Sequence, residues 1–327
     1  MLKIKSTGIY LPERKLSARE AQARSEKALG RSLNAAAFDV ASRFENTGET
    51  ISEMGARALT MALDLARLKA TDLDLILFGS SMPEQPIPCT AVLVQRKLGL
   101  GESGIPCFDV SATCTSFLSG LQIAQGFMAS GQYRRIAMVC SEIATDGINY
   151  KEIEVASLIG DGAAAAILEY DPESGSKVLA NLVKTFSAHS DLCEIRAGGS
   201  RYNVLTPPPQ EDDYLFRMEG RGVYRAASKY LPGFLDELFG RAGMKMSQID
   251  WVIPHQASPL ALKHLSKKLG FPEGRMIDII QTHGNQVSAS LPTALHTYAQ
   301  GPARRGDKIL LLGTGAGLTL NASILVY

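Results

Sequence analysis

The chain has 327 residues, with 34 Lys+Arg against 33 Asp+Glu and 45% apolar residues. That length suits two packed halves. The near-zero net charge excludes a nucleic-acid footprint, and no run of about 18 apolar residues suggests a membrane span. Five cysteines (Cys89, Cys107, Cys114, Cys140 and Cys193) are odd in number and lack the spacing of a disulfide framework or a zinc site, so a reduced, cytoplasmic compartment is the simplest reading.

Met1 to Lys5 lacks the apolar stretch of a secretion signal and reads as a first strand running towards Pro12. Ser17 to Leu29 and Ile51 to Leu68 have helical apolar spacing. Asp74 to Phe78 is a continuous apolar run ending at Gly79, the pattern of a strand buried on both faces. Thr90 to Leu98 predicts a helix stopped by Gly99, and Pro106 to Val110 a strand. Ser116 to Ser130 predicts an apolar helix closed by Gly131, and Arg135 to Cys140 another buried strand. Strands alternate with helices, which implies a layered α/β fold.

The second half repeats this order. ARLKATDLDLIL (Ala66 to Leu77) parallels AGMKMSQIDWVI (Ala242 to Ile253). Lys97-Leu98-Gly99 parallels Lys268-Leu269-Gly270, and Arg135 to Val139 parallels Lys308 to Leu312, at offsets of 171 to 176 residues. A duplicated α/β unit explains this, with halves at 1–172 and 173–327. The stretch from Ala197 to Asp213, with Pro207-Pro208-Pro209, predicts a surface excursion, lid or loop.

In Ser111-Ala112-Thr113-Cys114-Thr115-Ser116, a strand ends and small residues turn into the apolar helix. A thiol at Cys114 is expected to feel the helix N-terminus and free N–H groups, which favour the nucleophilic thiolate. The plainer alternative is a buried cysteine at a helix start. An offset of 171 carries Cys114 to Asn285, at the start of the equivalent helix. His255 follows the strand Trp251 to Pro254, at the strand end where α/β sites collect.

Ile253-Pro254-His255-Gln256-Ala257, His283-Gly284-Asn285, Gly313-Thr314-Gly315-Ala316-Gly317 and Asp161-Gly162-Ala163-Ala164 occur in a set that resembles the β-ketoacyl-acyl carrier protein synthase III family. The resemblance covers nearly the whole chain. It implies a thiolase fold, a duplicated α/β unit in five α/β/α/β/α layers. It implies that Cys114 takes an acyl group from a primer thioester. His255 and Asn285 then bind the thioester carbonyl of a malonyl extender while carbon dioxide leaves. The backbone N–H groups of Cys114 and Ala316 form the oxyanion hole, with alanine standing where the family usually has glycine.

The resemblance further places Ile87, Met218 and Gly220 along the substrate tunnel, with Ile87 contributed across a homodimer. Arg221, Arg225, Lys267 and Lys268 form a candidate rim for phosphopantetheine or carrier protein, or a plain solvated face. His283 is read as structural. The substrates implied are acyl-CoA and a malonyl thioester on a phosphopantetheine arm, the partners acyl-CoA or acyl carrier protein, with no metal and no tightly bound cofactor. Several family features differ. The lone Trp is Trp251, in a strand, Ile153 stands where an Arg is usual, and Leu260 replaces a basic residue. These differences point away from acetyl-CoA as primer and towards a specialised or polyketide role. Three alternatives stand beside this reading. One is an acyltransferase passing the Cys114 acyl group to an alcohol or amine. A biosynthetic thiolase needs a second cysteine in Gly313 to Gly317, which has none, and a non-catalytic partner subunit would lack the nucleophile.

Overall fold

The computed structural model describes residues 1–203, 205–270 and 274–327. In chain order the first half gives β1 (Leu2–Tyr10), β2 (Arg14–Ser17), α1 (Ala18–Leu29), β3 (Ser42–Glu45), α2 (Ile51–Ala66), β4 (Leu75–Gly79) and α3 (Thr90–Lys97). It continues with β5 (Cys107–Asp109), α4 (Ser116–Ala129), β6 (Arg135–Glu142), α5 (Ile153–Ala156) and β7 (Gly162–Tyr170). The remainder gives β8 (Lys177–Thr185), β9 (Cys193–Glu194), β10 (Arg217–Met218), α6 (Gly220–Ala242), β11 (Trp251–Pro254) and α7 (Pro259–Leu269). The last elements are α8 (Ile280–His283), α9 (Ser290–Gln300), β12 (Lys308–Gly315) and β13 (Thr319–Val326).

The expected helices and strands all form, within a residue or two. Two helix starts carry capping boxes, Ser17 with Glu20 and Thr50 with Glu53, which satisfy the free N–H groups of α1 and α2. Among the described residues between 197 and 213 there is no strand and only a short 3₁₀ turn from Glu211.

The two large sheets repeat one plan. The first runs β1-β7-β6-β4-β5, and the second β8-β13-β12-β11. In each, the fourth strand is parallel to the third, and the second is antiparallel to both neighbours. The repeat reaches single hydrogen bonds. Asp74 N donates to Arg135 O, and Asp74 Oδ2 accepts from Arg135 N, both at 2.8 Å. Asp250 N donates to Lys308 O, and Asp250 Oδ2 accepts from Lys308 N, again at 2.8 Å. The aspartate of each half therefore fixes the start of one parallel strand against the next.

Layering follows from strand alternation. Leu75 and Leu77 face the inner core with α4 and α9, while Ile76 and Phe78 face the outer core with α2 and α3. Both faces are covered, so the strand reads as unbroken apolar sequence. Phe117, Leu118, Leu121 and Ala124 of α4 and Leu291, Ala294 and Leu295 of α9 lie between the two sheets. Phe234, Leu235 and Leu238 of α6 cover the far side of the second sheet. Five layers result: helices, sheet, central helices, sheet, helices.

Candidate active site

Cys114 lies in a 3₁₀ turn, Thr113–Thr115, that leads into α4. Thr113 adopts φ 49°, and side chains hold the turn. Ser116 Oγ accepts from Ala112 N (3.0 Å) and donates to Thr113 O (2.8 Å), while Thr115 Oγ1 donates to Ala112 O (2.9 Å). The Gly-rich end of β12 packs on this turn. A Cβ at Gly315 would stand 2.9 Å from Thr113 Oγ1, so only glycine allows the approach. The approach brings the N–H of Ala316 to the Cys114 sulfur, beside the N–H of Cys114 itself.

The second half builds the same turn. Val287 has φ 51°, Val287–Ala289 form a 3₁₀ turn, and α9 begins at Ser290. One offset of 174 residues relates Thr113 to Val287 and Ser116 to Ser290. It carries Cys114 to Ser288 and Ser111 to Asn285. The expected pairing of Cys114 with Asn285 is therefore corrected: they are not equivalent positions. The repeats on β-strands use slightly different offsets because the loops between elements differ in length.

Asn285 reaches the site by its own fixings. Its Oδ1 accepts from Val287 N (2.9 Å) and Ser290 Oγ (3.2 Å), which leaves Nδ2 as a donor, bonded at 3.3 Å to Ala257 O. Its backbone is pinned by Asn285 N to Leu158 O (2.8 Å) and Gly160 N to Asn285 O (3.1 Å). Arg43, fully buried, donates to Ser157 O (3.3 Å) and to Ala156 O, holding the segment that pins Asn285. Gly284 sits at φ 69°, and a Cβ there would meet Leu158 O at 2.6 Å. Gly284→Ala is thus expected to destabilise the fold by about 2–4 kcal/mol and to displace the Asn285 carboxamide. Thermal unfolding reads the first effect, and lower turnover of the surviving folded protein reads the second.

His255 follows β11, its N–H bonded to Leu312 O at 2.8 Å. It is 6% exposed, and burial lowers its pKa to about 4. The imidazole is therefore neutral at physiological pH and has one N–H to donate. Gln256 locks the following turn through Pro254 O (2.9 Å) and Ile279 N (2.9 Å).

Cys114, His255, Asn285 and Ala316 line one cavity of about 480 Å³, with Ile148, Val155, Phe216 and Met218 among its apolar walls. Cys114 opens onto this cavity, yet low-polarity surroundings dominate its ionisation. Burial, then the charge of Glu142, push the thiol up to about 12, against the pull of the N–H groups of Cys114 and Ala316. The expected thiolate is therefore corrected: the resting site holds a thiol, because desolvation outweighs the helix start.

Of the other tunnel residues, Met218 lines the cavity, whereas Gly220 and Ile87 do not. Gly220 instead donates its N–H to Glu154, and Ile87 points to solvent, 84% exposed. Arg221, Arg225 and Lys267 are exposed. Arg225 borders an adjoining groove with His189, Glu219 and Lys229, which shares His189 with the cavity. The side chain of Lys268 lies outside the described residues. His283 packs its ring on Phe44 at 5.4 Å and stands outside the cavity lining. Glu142 also lines the cavity, a residue that the sequence did not single out as functional. The one signal for Glu142 was an acidic residue at the end of a buried strand. Among the described residues no cluster of His, Cys, Asp and Glu is arranged to hold a metal. Nor is any described helix long and apolar enough to cross a membrane.

Known proteins share this architecture and sequence. The family model for 3-oxoacyl-[acyl-carrier-protein (ACP)] synthase III matches residues 108–186, and the model of its C-terminal part matches 239–327. The β-ketoacyl-[acyl-carrier-protein] synthase III 3 of Streptomyces coelicolor is 32% identical, over 86% of this chain and 84% of that protein. A β-ketoacyl-[acyl-carrier-protein] synthase III of Neisseria meningitidis serogroup A is 31% identical over 99% of both chains. The crystal structure of 3-oxoacyl-[acyl-carrier-protein] synthase III from Aquifex aeolicus superposes with a TM-score of 0.86 at 30% identity, over all of both chains. OleA of Xanthomonas campestris shares the fold, with a TM-score of 0.86 at 20% identity over 100% of this chain and 96% of that one. With matching family models on both halves and relatives aligned end to end, the chain belongs to the β-ketoacyl-[acyl-carrier-protein] synthase III family of condensing acyltransferases.

Proposed function

We propose that the chain carries out acyl transfer to Cys114 followed by decarboxylative Claisen condensation. The observation that carries this reading is the convergence of Cys114, His255, Asn285 and Ala316 on one cavity. In the first step the Cys114 sulfur attacks the carbonyl of an acyl-CoA or acyl-carrier thioester. The carrier thiol leaves with the proton that Cys114 gives up. In the second step a malonyl thioester enters on its phosphopantetheine arm. Its carboxylate carbon–carbon bond breaks, carbon dioxide leaves, and an enolate forms. His255 and the Nδ2 of Asn285, two neutral donors, hold the enolate oxygen. The enolate carbon attacks the Cys114 thioester carbonyl, and that oxyanion rests on the N–H groups of Cys114 and Ala316. Collapse releases the β-ketoacyl thioester and frees the sulfur, which regains a proton.

A homodimer fits this reading. Ile87 is an exposed apolar residue that follows the cavity-lining Met82-Pro83 in the chain, and β5 leaves an open sheet edge carrying the exposed Phe108. Residues 1–172 and 173–327 serve as the two halves, and Arg221, Arg225 and Lys267 as a basic rim for a phosphorylated arm. The five free cysteines suit a reducing cytoplasm, and the product suits fatty-acid or polyketide assembly. Mixing the protein with a panel of acyl thioesters and a malonyl thioester tests the reaction. The expected result is carbon dioxide release that needs both substrates, with a β-ketoacyl product by mass. Acyl transfer to an alcohol or amine with no carbon dioxide would overturn it.

A further inference from the structure

One buried carboxylate takes no part in these steps. Glu142 ends β6, is 2% exposed and lines the cavity of Cys114. Its Oε1 accepts from Ser81 N (2.7 Å) and Ser288 N (3.3 Å), and its Oε2 from Ser81 Oγ (2.7 Å). Ser81 belongs to the segment after β4, and Ser288 to the turn that mirrors the turn of Cys114. Ser288 Oγ in turn donates to Gly79 O at 3.2 Å. The carboxylate therefore fastens the two halves together at the cavity wall. The described lining contains no Lys or Arg, so only dipoles compensate its charge.

We propose that Glu142 is a positioning residue for Cys114: it fixes the Ser81 segment and the Ser288 turn around the thiol, and its charge governs how readily that thiol loses its proton. The inference rests on Cys114 being the nucleophile. Burial pushes Glu142 up to about 7, against the donors of Ser288 and Ser81. Its charge is the largest contribution after burial to the raised pKa of Cys114. The other titratable groups near it are Cys140 on its own strand and, around the cavity, His189, Cys193, Glu194 and His255. Glu194 is occupied by Arg196 at 2.8 Å, burial keeps His255 neutral above about pH 4, and burial raises both Cys140 and Cys193. Of these groups Glu142 is the one whose charge acts most on the thiol, and that charge changes near neutrality. Above pH 7 the carboxylate opposes a thiolate, and below it the opposition falls away.

Glu142→Gln separates charge from shape. The amide oxygen can accept both N–H groups, and the amide nitrogen can donate to Ser81 Oγ, whose hydroxyl reverses. Iodoacetamide alkylation of Cys114, followed by mass spectrometry across pH 5.5 to 9, reads the effect. The parent is expected to show an inflection near pH 7. Glu142→Gln should lose that inflection and alkylate about tenfold faster at pH 8, the change that one pKa unit produces. Ser81→Ala removes one donor from the carboxylate and should move the inflection to higher pH. Glu142→Ala should lower kcat, and the glutamine variant should restore it. An alkylation profile unchanged in Glu142→Gln, an inflection unmoved in Ser81→Ala, or parental kcat in Glu142→Ala each defeats the proposal. A parallel Cys114→Ala sample separates the two failures. If it still takes up the acyl group, the nucleophile assignment falls. If it stays inert while Glu142→Gln behaves as the parent, only the role of Glu142 falls.

Discussion

Cys114→Ala protein, mixed with a panel of acyl thioesters, is expected to keep its unmodified mass while the parent gains an acyl adduct. Condensation should fall by a factor on the order of 10⁴ or more, the scale set by removing a catalytic nucleophile. The fold should survive, because the turn does not depend on the sulfur. Ser116 Oγ and Thr115 Oγ1 hold it, and the helix beyond is gripped by both sheets. Four other cysteines remain in the chain, and Cys193 lines the same cavity, so the location of any adduct matters. Peptide mapping of the parent should put the acyl group on residue 114. An adduct that persists in the alanine variant removes the assignment.

His255→Ala and Asn285→Ala should separate the two half-reactions. Each is expected to self-acylate at close to the parental rate yet release carbon dioxide about 10²- to 10³-fold more slowly, the usual effect of losing one donor to a developing oxyanion. Asn285→Ala also strips the acceptor that holds Val287 N and Ser290 Oγ, so it loosens the start of α9. Asn285→Asp isolates the chemistry. An aspartate keeps the accepting oxygen but removes the N–H donor, and its charge opposes the enolate. Its carbon dioxide release should be at least as poor as that of the alanine variant, with better thermal stability. Parental release from a variant would remove the residue it changes from the decarboxylation step.

Much of this was legible in the residues because it depended on local pattern. Asp74 and Asp250 precede matched apolar runs, and each makes the same two bonds to the next strand. Apolar spacing marked α1 and α2, whose starts the structure closes with Ser17–Glu20 and Thr50–Glu53. The motifs around Cys114, His255 and Asn285 predicted one site, and their side chains share one cavity. What failed depended on the third dimension. The ionisation of Cys114 is set by the atoms that close over it, which a helix-start argument cannot count. A sequence offset misses the mirror position of Cys114 because loop lengths differ between halves, and only the positive φ of Thr113 and Val287 fixes the register. No local pattern marks Glu142, because its partners, Ser81 and Ser288, lie 61 and 146 positions away.

The left-handed residue at each mirrored turn bears on how the two copies divide their work. A threonine or valine in that conformation costs on the order of 1 kcal/mol, and nothing in the local sequence demands it. Both central helices thus start from the same bend, yet the seat one step beyond it holds a sulfur in one copy and, in the other, Ser288, whose N–H is spent on Glu142.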